Sequence, residues 1–143
     1  MEHKMEEIDR FNKYTAYFHD GTLINIKQLK NSVEILMSSA EMDPEDMEDN
    51  IPLANDNSIK GKLHIENVIN IKVSNNEQIN NLLKIYDHGT ILEFEFKDKM
   101  IELGILWENF RPKSPTNDFS TIEIVAEKIW WENIPDLHDK IVE

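Results

Sequence analysis

The stretch from residue 59 to residue 73, Ile-Lys-Gly-Lys-Leu-His-Ile-Glu-Asn-Val-Ile-Asn-Ile-Lys-Val, leaves this chain little choice of fold. Ile59, Leu63, Ile65, Ile69, Ile71 and Val73 share one parity, while Lys60, Lys62, His64, Glu66, Asn70 and Lys72 take the other. A period of two over this length means extended chain with one apolar and one wet face. Gly61 and the Glu66-Asn67 pair interrupt the pattern, which predicts two strand segments joined by a bend or bulge at 66–68. Leu63, Ile65 and Ile71 are then expected on the buried face.

The same alternation recurs on both sides. Residues 22–29 and 32–38 read as a hairpin about Lys30-Asn31, with Asn31 suited to the left-handed conformation. Residues 91–96 and 100–107 read as a second hairpin about Lys97-Asp98-Lys99, and 119–130 as another strand. Tyr14 to Phe18 is aromatic and strand-like, and His19-Asp20-Gly21 reads as a turn in which glycine can take positive φ. Ile79, Leu82, Leu83 and Tyr86 fall on one helical face, with Asn75 as cap and Gly89 past the end, so 75–87 is the one expected helix.

Three segments read as connections. Residues 1–13 are a short N-terminal helix or an arm, 41–50 is a loop with six carboxylates, and 108–118 is a loop holding Pro112 and Pro115. An apolar-Glu-Asn-apolar pattern recurs at 65–68, 107–110 and 131–134, which suggests a common way of leaving a strand. The expected fold is one β-rich domain over 1–143, mainly antiparallel, with seven to nine strands and one helix. A sandwich or a partly open barrel would satisfy it.

Charge narrows the function. The net charge is −13, with two arginines in the chain, Arg10 and Arg111. Nucleic-acid binding needs clustered cations to displace phosphate counterions, and anionic membrane surfaces need them too, so neither partner is expected. A basic protein partner fits, because opposite charge raises the encounter rate. There is no cysteine, no apolar leader in the first residues and no run of the ~20 apolar residues that span a bilayer, and a cytoplasmic protein is expected.

Catalytic fingerprints do not emerge. The four glycines are scattered, no G-x-S-x-G or H-E-x-x-H occurs, and the five histidines lie far apart in sequence. The acidic loop offers oxygen density that would suit calcium, but it has Pro44 and no glycine where an EF-hand needs one. No metal, cofactor or catalytic residue is therefore assigned, and the chain is read as a non-enzyme. His19-Asp20 is the one doublet with ligand or general-base chemistry, against the simpler reading of a turn edge. Trp107, Trp130 and Trp131 are first of all core residues. In an extended segment, though, Trp130 and Trp131 cannot both face inward, and the outward one marks a rim or interface. The candidate binding surface is thus Trp107, Trp130, Trp131, Tyr17, His19 and Asp20.

Tyr17-Phe18-His19-Asp20-Gly21-Thr22-Leu23, with Lys60 to Glu66 and Phe119 to Ile124, resembles a group of small uncharacterised β-rich bacterial proteins. The first hairpin is also similar to immunity proteins of bacterial polymorphic-toxin systems. That resemblance implies a domain that binds a toxin and blocks it without catalysis. The expectation is an acidic protein-binding domain, an immunity-type inhibitor being its specific form. The alternative is a small-ligand binding domain with an aromatic-lined cavity. Oligomeric state stays open.

Overall fold

The computed structural model describes residues 4–7, 11–46, 51–74, 88–109 and 116–137. Among these residues seven strands follow in order: β1 (Lys4–Glu7), β2 (Gly21–Gln28), β3 (Ser32–Ser38), β4 (Lys60–Ser74), β5 (His88–Lys97), β6 (Met100–Asn109) and β7 (Thr116–Asn133). Short 3-10 turns cover Asn12–Phe18 and Pro44–Asp46. All pairings are antiparallel, in the order β1-β7-β4-β3-β2-β5-β6, and a further β6–β7 pairing closes six of the strands into a barrel. The sandwich alternative is thereby corrected. Its replacement follows from the length of β7, whose 18 residues pair with β4 on one edge. On the other edge β7 meets β6 from Thr116 to Val125 and β1 from Trp130 to Asn133.

Bulges turn the corners of the barrel. In β4 the register against β7 slips between Val68 and Asn70, and Asn67 sits at φ 55°. The left-handed residue Asn67 falls within the expected 66–68, and the inserted residue, Ile69, lies just beyond it. The insertion also changes which residues face inward: Leu63 and Ile65 are fully buried, Ile71 and Val73 are half-buried, and Ile69 is 64% exposed. Similar slips fall between Leu23 and Asn25 in β2 and between Ile91 and Glu93 in β5. An extra residue at each point lets Leu23 and Ile26, or Ile91 and Phe94, both turn inward despite their odd spacing.

Several expectations change. Lys4–Glu7 is a strand where a helix over 1–13 was the first expectation, because the edge of β7 supplies it with backbone partners. Tyr14 to Phe18 is 3-10 turn and not strand, which puts Phe11, Tyr14 and Phe18 on one buried side. Asn31 is not in the left-handed region, and positive φ in the first turn belongs to Asp20 (67°) rather than Gly21. Gly21 is needed for space, since a Cβ there would run into the Ser38 carbonyl oxygen. The loop at 108–118 is shorter than expected, because Asn109 pairs with Thr116. Of the three apolar-Glu-Asn-apolar segments, 131–134 lies at the end of β7 and the described part of the second, 107–109, at the end of β6, while 65–68 lies inside β4 just ahead of its bulge. The expected helix at 75–87 lies outside the described residues.

Aromatic side chains fill one end of the barrel. Phe11 stacks on Trp131 with centroids 4.6 Å apart, and Phe18 meets both Trp131 and Phe94 edge-on at 5.7 and 5.3 Å. Trp131 Nε1 donates to Asn133 Oδ1, and Asn133 in turn donates to the Pro52 carbonyl, so the buried amide is satisfied. Trp107 is equally buried and donates to Ser120 Oγ at 3.0 Å. The narrowest seam is β2–β5, with three residue pairs. The first turn extends it: the Asp20 amide donates to the Ile91 carbonyl, and His19 Nδ1 donates to the Leu92 carbonyl at 2.8 Å.

Candidate functional site

The six residues of the expected binding surface do not come together. Trp107 and Trp131 are core, at 1% and 0% exposure, and are corrected as surface candidates. Trp107 shares parity with the buried Ile101 and Ile105, and Trp131 with Ile129, beyond the point between Ala126 and Ile129 where the inward parity of β7 switches. Tyr17 is half-buried and packs against the core. His19 and Asp20 are exposed, with 3.7 Å between His19 Nε2 and the Asp20 carboxylate. Through its other nitrogen His19 ties the β2–β5 seam, a structural duty. Among the described residues no group of three or more metal-ligating side chains forms. In the acidic loop Glu41, Asp43 and Glu45 are exposed, while Met42 anchors it to the core.

Trp130 is the candidate that stays on the outside. Alternation along β7 turns Trp131 in and Trp130 out, and the β4 register sets Trp130 opposite His64. Their rings stack in parallel, 3.8 Å between centroids and 4° between planes. Trp130 Nε1 donates to Glu66 Oε2 at 3.1 Å, and His64 Nε2 donates to Glu132 Oε1 at 2.8 Å. Glu34 of β3 lies opposite His64 in register and pairs with Lys62 at 3.4 Å. The outer face of β3, β4 and β7 thus carries a flat aromatic platform framed by three carboxylates. His64, Glu66 and Glu132 were not singled out from the sequence. The signal was present, since they occupy the wet parity of the same strands, but cross-strand register is invisible in one dimension.

Beside this platform β7 parts from β6. Their pairing ends at Met100 and Val125, one more bond joins the Ala126 amide to the Lys99 carbonyl, and β1 begins opposite Trp130. A groove of about 1090 Å³ opens there, between the β5–β6 turn and residues 125–130, with Trp130 in its wall.

Comparison with known proteins returns no match to a family model, to a curated protein or to a solved structure. Among the described residues no helix is long and apolar enough to cross a membrane.

Proposed function

We propose that this chain is a non-enzymatic binding domain that holds a basic protein against the outer face of β3, β4 and β7, with Trp130 as its anchor. The observation that carries the reading is the locked state of Trp130. A large ring is left half-buried at the surface, stacked on His64 and held through its N–H by Glu66. An aromatic side chain fixed before contact loses little freedom on binding, which is the physical profile of a hot spot. The chain's charge of −13 favours a cationic partner over nucleic acid or an anionic membrane, while Glu34, Glu66 and Glu132 near the ring are met locally by Lys62, Lys128 and His64. An immunity-type inhibitor that blocks a basic toxin in the cytoplasm is the specific form of this reading, and its support is the resemblance of the first hairpin.

The test is capture of a partner followed by kinetics at two salt concentrations. Charge should set how fast the two meet, since long-range attraction is screened within ~8–10 Å at ordinary salt. The anchor should set how long they stay. Trp130→Ala is therefore expected to raise the dissociation rate by about thirtyfold, the ~2 kcal/mol expected of a hot spot, with association little changed. Association that ignores salt, together with a Trp130→Ala variant that dissociates normally, would discard the reading.

A further inference from the structure

The groove beside Trp130 has a chemistry that differs from the rest of the surface. Phe96 and Met100 are half-buried in it, and Ala126 and Ile129 are buried, so its floor is apolar. Its rim carries Lys97, Lys99 and Lys128, with Asp98 and Glu127 also present. Three lysines against two carboxylates in this lining is a local cluster of cations in a chain with 15 cations against 28 carboxylates, although Glu95 and Glu66 stand behind Lys97 and Lys128.

We propose that this groove binds a small amphipathic acid, one carboxylate or sulfonate on an apolar body. The volume, about 1090 Å³, holds a whole drug-sized molecule, for which pockets of roughly 300–1,000 Å³ are usual. The three lysines are exposed and long enough to turn toward an anion. Lys97 meets Glu95 at 3.5 Å and Lys128 meets Glu66 at 4.0 Å, both in exposed positions, and Lys99 makes no ion pair among the described residues. Exposed pairs of this kind contribute little, so exchanging them for a ligand anion costs little. The acid's body would lie along Phe96, Met100 and Ile129, where burying apolar surface stabilises the complex. Over the whole chain a negative field repels anions. Saturable binding of an anion must then come from this local arrangement. The site does not depend on a protein partner.

The experiment is calorimetric titration of the full chain with decanoate below its micelle concentration, with decanol and decylammonium as neutral and cationic probes of equal chain length. Decanoate is expected to bind saturably at one per chain and more tightly than either control. Amide chemical shifts should move at 96–100 and 125–130. The triple variant Lys97→Gln, Lys99→Gln, Lys128→Gln changes exposed residues alone and should keep the fold while weakening decanoate by about tenfold, the sum of three exposed ion contacts. The proposal is overturned if decanoate shows no saturable binding, if either control binds as well, if the shifts map elsewhere, or if the triple variant binds within a factor of about two of the parent.

Discussion

Two of the four glycines lie under tryptophan rings. A Cβ on Gly61 would strike the Glu132 carbonyl oxygen and come within 2.7 Å of the Trp131 ring, and one on Gly89 would come within 2.9 Å of the Trp107 ring. Each large ring is accommodated by a missing side chain on the neighbouring strand. Gly61→Ala should therefore cost about 1–3 kcal/mol or more by overpacking, read from the midpoint of a urea titration at unchanged slope. A loss under about 0.5 kcal/mol would mean that the ring moves aside freely. In sequence Gly61 reads as a fault in the alternation, and nothing local reveals that Trp131, 70 positions on, lies above it. That Trp130 and Trp131 must face opposite ways is, by contrast, plain from parity. Asp56 offers a residue-scale prediction in pH. The Ser58 hydroxyl first, helped by the Ser58 amide and Lys60, holds its carboxyl below the usual aspartate range against the opposing effect of burial. A lowered folded-state value means that the turn is fully stabilised above the unfolded value and loses that contribution as pH falls through the folded one. With the side chain 63% exposed the contribution is small. Ser58→Ala should raise the Asp56 midpoint in an NMR titration, and an unmoved midpoint would assign the shift to something else.

At the scale of elements, alternation exposes strands and hides bulges. The hairpins of β2–β3 and β5–β6 and the strand character of β4, β6 and much of β7 follow from period two. The slips at Ile24 and Leu92 do not, because an inserted residue in an apolar run leaves no gap to notice. The bend in β4 is legible because Glu66 and Asn67 stand as polar residues among aliphatics, although the residue that the register skips is Ile69, just beyond them. Tyr14 to Phe18 misleads for a related reason. Its aromatics suit a strand locally, but the barrel end requires three rings on one side, which a 3-10 turn supplies. Asn67 then makes a specific prediction. At φ 55° asparagine is tolerated and glycine is at ease, whereas a β-branched residue is strained. Asn67→Gly should change stability by less than about 1 kcal/mol, and Asn67→Val should lose roughly 1–2 kcal/mol in chemical denaturation. Equal losses from both variants would show that the Asn67 side chain, and not its backbone, is what the bulge needs.

For the molecule as a whole, closure is uneven. β7 is held between β4 and β6 over residues 121–125, whereas β2 meets β5 at three residue pairs, from Gly21↔Ile91 to Leu23↔Gly89. Each bond in a sheet adds about 0.5–1.5 kcal/mol net, so a barrel opens first where few bonds and little apolar surface join neighbours. That place is the β2–β5 seam, and the first turn reinforces it through the Asp20 amide and His19 Nδ1. Native-state hydrogen exchange at increasing denaturant should show the Asp20 amide opening at a lower free energy than the amides that join β4 to β7 near Leu63 and Trp131. His19→Ala should lower the Asp20 opening energy by about 0.5–1.5 kcal/mol, one hydrogen bond, more than it lowers that of the β4–β7 amides. If all these amides exchange with one common free energy, the barrel opens in a single step and the seam is no weaker than the rest. If His19→Ala leaves Asp20 unchanged, its bond to Leu92 contributes nothing to closure, and the turn alone holds β2 to β5.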